Sequence, residues 1–127
     1  MVALRAAILC ETVLTEASGL RSPIRVFSRL ALPRGAATDA TLLVMLANTE
    51  PQANQTHQLV LRVEDAAGTA LAEQPFEMTS PLEVGGTFDL VVPFRIAAPP
   101  ESTLRWLQLS LDGQALTRVP LHLDVIE

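Results

Sequence analysis

Apolar and polar side chains alternate along most of this chain, which is the pattern of half-buried β-strands. In residues 57–65, Leu59, Leu61 and Val63 are predicted to point inward and Gln58, Val60, Arg62 and Glu64 outward, and a later strand has a similar inward row. The inward row of that later strand is Phe88, Leu90, Val92, Phe94 and Ile96. No segment combines a helical apolar period with caps at both ends. We therefore predict an all-β fold over residues 1–127, a single-domain antiparallel sandwich of immunoglobulin-like type with about eight strands.

Four segments of this pattern allow more specific predictions about single strands. Residues 41–47 are apolar on both faces, so this strand is either central and covered twice, or one of its faces meets a partner. Pro75 and Pro93 interrupt two further strands, and proline cannot donate to a central ladder. Those two strands are therefore expected at sheet edges or at bulges. Residues 24–32 are interpreted as one strand, with Ile24, Val26, Ser28 and Leu30 on one face and Arg25, Phe27 and Arg29 on the other.

The stretch from residue 103 to 125 predicts a hairpin around Asp112-Gly113. A two-residue loop would pair Leu111 with Gln114, which sets Leu107 opposite Arg118 and mixes core and solvent positions. A three-residue loop would pair Leu109 with Ala115, and it is preferred because it keeps one face apolar. That predicted inward face comprises Leu107, Leu109, Ala115, Val119, Leu121 and Leu123.

The outward face of this hairpin is the first candidate interface. In the preferred register it exposes Leu104, Trp106, Leu116 and Pro120, with Arg118 opposite Trp106. Such a patch is larger than a monomer usually shows. The alternative is that a bulge near Arg105 turns Trp106 into the core.

The second candidate interface is the strand face formed by Arg25, Phe27 and Arg29, because arginine and aromatic residues are enriched at interfaces. Its alternative is an ordinary charged outer face neutralised by acidic neighbours. Residues 1–34 carry five arginines against two acids, and residues 35–127 carry four against twelve. These charges either meet across the rim of one sandwich or join a basic face to an acidic face of a second copy.

A set of residues at the two ends of the chain carries a family resemblance. The set is Cys10, Glu11, Gly19, Ser22, Ile24, Val26, Phe27, Leu111, Asp112 and Gly113. In these positions the chain resembles a bacterial domain family of unknown function, small β-sandwich proteins whose first strand ends in Cys and an acid and which have a late Leu-Asp-Gly hairpin. The chain departs from that family at Arg105 and Trp106, where the late strand usually carries a regularly alternating aromatic. The resemblance implies a β-sandwich and no activity.

Candidate chemistry is sparse. Cys10 is the single cysteine, which is typical of a reducing compartment, so a cytoplasmic protein is expected. Paired with His57 or His122 it could act as a nucleophile, but a free cysteine at the end of an apolar strand is usually a small buried hydrophobe. One cysteine and two separated histidines offer no metal-ligand spacing. We therefore expect no catalysis, no metal and no cofactor.

Charge and hydropathy narrow the class of partner. The net charge is −5 and lysine is absent, which disfavours nucleic-acid binding, and no apolar run is long enough for a membrane span. The sequence therefore predicts an interaction or scaffold module that binds a protein partner or itself as a homo-oligomer. The alternative is a small-ligand binder or enzyme with a pocket in the loops at one end, residues 48–56 and 79–86.

Overall fold

A computed structural model describes residues 2–49, 55–79 and 85–127, and in these ranges the chain forms strands and no helix. Accordingly, those residues include no helix of the length and apolarity that a membrane crossing requires. The strands are β1 Val2–Thr15, β2 Arg21–Val26, β3 Arg29–Pro33, β4 Ala37–Asn48, β5 Thr56–Glu64, β6 Ala70–Thr79, β7 Thr87–Ala97, β8 Thr103–Leu111 and β9 Gln114–Ile126. The all-β prediction is confirmed.

The strands form two sheets that pack face to face. The four-stranded sheet has the order β2-β1-β4-β7, and the five-stranded sheet has the order β3-β9-β8-β5-β6. Their inner faces supply the core, whose buried members include Leu42, Val44, Leu59, Val92 and Leu109. The predicted sandwich is confirmed, with nine described strands instead of about eight. One pair, β3 with β9, is parallel, so the sandwich is not antiparallel throughout.

Strand β4 is central and covered on both faces, which is the first of the two alternatives that the sequence left open for residues 41–47. Leu43 lies on its outer face and is only 1% exposed. The cover is the β1–β2 hairpin, because Arg21 Nε lies 3.4 Å from Asp89 Oδ2 of β7. In the sheet register Arg21 lies opposite Thr15 of β1. Asp89 lies opposite Met45 of β4, and Met45 lies opposite Ala6 of β1. Thr15 and Ala6 would be about 30 Å apart if β1 were straight. The ion pair therefore requires the hairpin to fold back over the outer face of the sheet.

The prediction of one strand over residues 24–32 is wrong, because the chain changes sheets in the middle of that segment. The Phe27 amide donates to the Leu9 carbonyl at 3.0 Å, and the Ser28 carbonyl accepts from the His122 amide at 2.9 Å. Consecutive residues thus bond to different sheets. Phe27 packs against the core, and Arg25 has a φ of 56°, which breaks the regular alternation. β2 and β3 are the two halves of the predicted strand.

The turn of the β8–β9 hairpin is the two-residue Asp112-Gly113 loop, so the preferred three-residue loop is wrong. Both turn residues have positive φ, 49° and 85°, as tight hairpin turns with the strand twist require. Leu111 consequently faces Gln114.

A bulge then corrects the register that this short loop would otherwise impose. Leu116 is the extra residue, so Leu109 faces Thr117 and Leu107 faces Val119. The inner face therefore keeps Leu107, Leu109, Leu121 and Leu123, as predicted. Ala115, which was assigned to that face, is exposed instead.

In the described part of the chain, every strand at a sheet edge contains a proline. The four are Pro23 in β2, Pro33 in β3, Pro75 in β6 and Pro93 in β7. The edge positions predicted from Pro75 and Pro93 are confirmed. Pro120 lies in the inner strand β9, but it also faces a position without a ladder partner. The His122 amide donates toward β3, and the nitrogen of Pro120, two residues earlier, points to the same side at a level that β3 does not reach. Prolines at exposed edges hinder the addition of a further strand.

Candidate functional site

Trp106 lies on the outer face of the five-stranded sheet. It alternates with Leu107 and Leu109, which are 1% and 0% exposed in the core, so its ring points away from the sandwich interior and is partly buried. The bulge that could have turned it inward lies at Leu116 instead. Its cross-strand neighbour is Pro120 and not Arg118, which corrects the predicted register.

Arg118 nevertheless contacts Trp106, from the diagonal position. It faces Gln108, and its guanidinium carbon lies 4.2 Å from the centroid of the Trp106 ring. A cation over an indole face at a partly exposed site is worth about 0.5–1 kcal/mol. The stacking restricts the ring and gives this face a fixed aromatic centre.

Glu64 connects this pair to the neighbouring strand. Its Oε1 lies 3.3 Å from Arg118 Nη2, and its Oε2 lies 3.1 Å from Arg62 Nε. The Glu64 side chain is only 7% exposed, whereas the arginines are 35% and 45% exposed. We call Arg62, Glu64, Trp106 and Arg118 the Trp106 cluster. It places a shielded carboxylate between two cations beside an aromatic ring.

The sequence pointed to only part of this cluster. Arg62 and Glu64 stand two residues apart on the outward side of β5, which the alternation predicted. Their proximity to Trp106 depends on the pairing of β5 with β8, where Glu64 faces Trp106. That pairing joins distant segments, and no local signal gives its register.

The same face holds three of the six remaining candidate interface residues, namely Leu104, Pro120 and Arg29. Leu104 faces His122 two positions before the Trp106–Pro120 pair. At the far side of the sheet, Arg29 Nη1 lies 2.9 Å from both carboxylate oxygens of Asp124. Apolar side chains and ion pairs thus alternate across one continuous surface.

Three candidate interface residues lie elsewhere. Leu116 is turned toward the core by its bulge, and Phe27 packs against the core at the sheet crossover. Arg25 belongs to β2 in the other sheet and pairs with Glu11 at 3.0 Å. Arg25, Phe27 and Arg29 therefore do not form the single strand face that the sequence predicted, because the chain changes sheets between them.

The candidate cysteine–histidine pair is not assembled. Cys10 lies in the four-stranded sheet at 0% exposure, and its thiol donates to the Thr41 carbonyl at 3.6 Å. Burial raises the pKa of the Cys10 thiol, and a backbone hydrogen bond at Ile24 offsets part of that rise. Both histidines belong to the five-stranded sheet. Within residues 2–49, 55–79 and 85–127, no group of three metal-ligating side chains is present.

His57 has a different partner, which sequence analysis missed. Its Nδ1 lies 2.7 Å from Asp112 Oδ2 at the hairpin turn, while the Gln58 amide donates to Asp112 Oδ1 at 3.0 Å. The hydrogen bond from His57, followed by that from Gln58, lowers the pKa of the Asp112 carboxyl. Asp112 therefore fixes the tip of the β8–β9 hairpin to the start of β5.

A groove of about 400 Å³ lies at the sheet crossover, lined in part by Glu11, Arg25 and Phe27. Its charges are already matched, because Arg25 pairs with Glu11 and Asp39 lies 3.4 Å from Arg95. The loop pocket that the sequence offered as an alternative falls largely on residues 50–54 and 80–84, which lie outside the described residues.

Comparison with known proteins supports the fold. No family model and no curated protein match the chain. The Pseudomonas fluorescens alkylpurine DNA glycosylase AlkC, bound to DNA containing an abasic site analog, is similar with a TM-score of 0.59 at 14% identity, over 97% of this chain and 30% of that chain. A glycosyl hydrolase family 2 member from Bacteroides cellulosilyticus gives 0.59 at 12% identity, over 95% and 15%.

A β-glucuronidase from glycoside hydrolase family 2 gives a TM-score of 0.55 at 14% identity, over 72% of this chain and 10% of that chain. At these identities the likeness shows a shared β-sandwich and nothing about activity. The chain spans less than a third of each of these proteins.

Proposed function

We propose that this chain is a non-catalytic interaction module that associates with a second copy of itself through the outer face of the five-stranded sheet. The observation that carries the proposal is the Trp106 cluster, an aromatic ring held by an arginine on an outward sheet face. Tryptophan and arginine are the residues most often found at energetic centres of interfaces. Leu104 and Pro120 extend the apolar area on either side of the ring's strand position.

The charges of this face favour self-association over a strongly charged partner. A two-fold interface brings the same patch against itself, so a patch of one sign would repel its copy. Here the two arginines of the cluster form ion pairs with Glu64, and Arg29 forms one with Asp124. Both signs are therefore available to match across a two-fold axis, with charge setting orientation more than affinity.

The sheet edges favour association of two copies through their sheet faces and not through strand addition. Proline in each edge strand removes backbone donors that an added strand would need. Association by strand addition is therefore disfavoured, and stacking of outer faces is the arrangement that remains for this fold. Faces of stacked sheets lie about 10 Å apart, which lets the Trp106 side chains of two copies interdigitate with their partners.

The remaining parts of the proposal concern class and compartment. Separation of Cys10 from both histidines supports a module without catalysis, and one buried free cysteine supports a cytoplasmic location. The similar sandwiches form minor parts of larger proteins, which also fits a modular role. AlkC is bound to DNA, but this chain has a net charge of −5 and its cluster arginines are paired, so we propose no nucleic-acid partner and no membrane partner.

Sedimentation velocity across a dilution series tests the association. We expect a dimer or larger species that dissociates on dilution, and we expect Trp106→Ala to weaken it by about tenfold or more. Leu104→Gln should also weaken association. Val26→Ala removes a more exposed apolar side chain, 63% exposed, from the other sheet and should leave association unchanged. Added salt should weaken association only modestly, because apolar burial at about 25 cal/mol per Å² supplies most of the free energy.

The chain also contains its own optical reporter. Trp106 is the only tryptophan and tyrosine is absent, so emission on excitation of the indole reports this face alone. Association should protect Trp106 from iodide quenching as protein concentration rises. A monomer at every concentration, with constant quenching, would refute self-association. Fluorescence anisotropy with a labelled DNA duplex at low salt should show no binding, and saturable binding would refute the exclusion of nucleic acid.

A further inference from the structure

A cleft opens between the two sheets beside edge strand β7, away from the Trp106 cluster. It consists of an outer hollow of about 250 Å³ and an inner hollow of about 80 Å³. The two share Val63, Phe94 and Arg95, so they adjoin. The inner hollow reaches the buried core residues Leu121 and Leu123. We call this space the β7 cleft.

Arg105 is the unusual residue of the cleft. It faces Leu121 across β8 and β9, and Leu121 is 1% exposed, so the Arg105 side chain leaves the sheet on the core side. It lines the inner hollow and also a surface hollow formed by residues 99–103. Its aliphatic stem therefore lies along apolar surface while its guanidinium extends toward the opening.

Arg105 also has no carboxylate within ion-pair distance in the part of the chain that the structure describes, although Glu101 lines the same surface hollow. Among the described residues, seven of the nine arginines have a carboxylate within ion-pair distance: Arg21, Arg25, Arg29, Arg34, Arg62, Arg95 and Arg118. Arg5 and Arg105 do not, and of these two only Arg105 lines a hollow between the sheets. A half-buried cation at an apolar cleft favours an external anion.

We propose that the β7 cleft binds a small anionic amphiphile, with its aliphatic or aryl tail against Val63, Phe94 and Leu121 and its anionic headgroup on Arg105. Arg95 supplies a second cation at the mouth, since its pair with Asp39 is long, 3.4 Å, and exposed. The hollows are at or below the lower end of the roughly 300–1,000 Å³ typical of drug-sized ligand sites, so the ligand is small. The groove near Arg25 does not share this chemistry, because its charges are matched within the protein.

This site is separate from the proposed interface. Arg105 and Trp106 are neighbours in the chain and their side chains leave β8 on opposite faces. The β7 cleft also lies near the end of β5 at Glu64, whereas Thr56 and Thr79, which pair at the start of β5, lie at the other end of that strand. Ligand binding and self-association can consequently be measured independently, and either can fail without the other.

Isothermal titration calorimetry with octanoate tests the proposal. We expect saturable octanoate binding, with octanol and octyltrimethylammonium at least about tenfold weaker because they lack the anionic head. Arg105→Gln should weaken octanoate by about tenfold and leave octanol unchanged. Arg5→Gln makes the same charge change at an exposed position in the four-stranded sheet and should leave octanoate binding unchanged.

A second variant tests the tail. Ala72 is exposed and lines the outer hollow, so Ala72→Leu adds volume there without disturbing the buried core. It should weaken octanoate and octanol together. No octanoate binding at millimolar concentration, equal affinity for octanoate and octanol, or equal behaviour of Arg105→Gln and Arg5→Gln would each overturn the proposal.

Discussion

Glu64→Gln removes the charge of the Trp106 cluster while keeping the shape of the side chain. In the native protein the carboxylate lies 3.1 Å from Arg62 and 3.3 Å from Arg118. An ion pair at about 4 Å is worth about 1 kcal/mol in water and about 4 kcal/mol at an effective dielectric of 20. Because the two arginine side chains are 35% and 45% exposed, each pair should lie near the lower figure.

The loss of two such pairs would cost about 2 kcal/mol, and relief of the desolvation of Glu64, which is 7% exposed, offsets part of it. We therefore expect the free energy of unfolding to fall by about 1–2 kcal/mol. For a chain of this length that corresponds to a decrease in Tm of about 4–8 °C.

Urea unfolding monitored by circular dichroism measures this change without depending on Trp106, whose emission the substitution itself can alter. Glu73→Gln is the matched control, because Glu73 faces Arg62 from edge strand β6 and is exposed. Arg118→Gln completes a double-mutant cycle, in which we expect a coupling of about 1 kcal/mol. If Glu64→Gln were no more destabilising than Glu73→Gln, the argument that Glu64 stabilises the fold through its two arginines would be refuted.

Three further predictions concern other parts of the fold. The pKa of Asp112 is lowered in the folded state by His57, so its ionised form stabilises the fold above its unfolded pKa of about 3.9, and that contribution is lost as pH falls through the folded value. Asp112→Asn should therefore be less stable than the wild type at pH 6, with a difference that shrinks in acid unfolding below about pH 4. Cys10 should react slowly with a thiol reagent in the native state, and Cys10→Ala should remain folded; rapid labelling at neutral pH would contradict its burial. Pro75→Thr restores a backbone donor on an exposed edge and should increase thioflavin-positive aggregation on agitation, whereas unchanged aggregation would show that Pro75 does not protect this edge.

Alternation alone predicted much of this fold. The inward rows of β5 and β7 and the edge positions of β6 and β7 are as predicted, because each depends only on local periodicity or on proline. The crossover at Phe27 was missed because the period of two was carried through residues 26–29, although Val26 and Phe27 are both apolar and Ser28 and Arg29 are both polar. A change of sheet alters which strand accepts each hydrogen bond, and periodicity carries no information about that partner.

The candidate site was predictable to a similar degree. The sequence named Trp106 and Arg118 but placed them directly opposite, since the bulge at Leu116 has no local signature. It left open whether Trp106 lies in the core, and the structure places it on the outer face. Glu64 could be found only through the pairing of β5 with β8. Membership of the resembled bacterial family stays a prediction.

The parallel pairing of β3 with β9 has a consequence for the order in which the molecule can form. Arg29 and Asp124, joined across this pair, are 95 positions apart in the chain. At synthesis rates of about 5–20 residues per second, β3 emerges about 5–20 s before β9, its neighbour in the described sheet. The five-stranded sheet therefore cannot be completed during translation until β9 has been synthesised. Refolding of the full-length chain should accordingly be slow, on the millisecond-to-second scale of folds dominated by distant contacts.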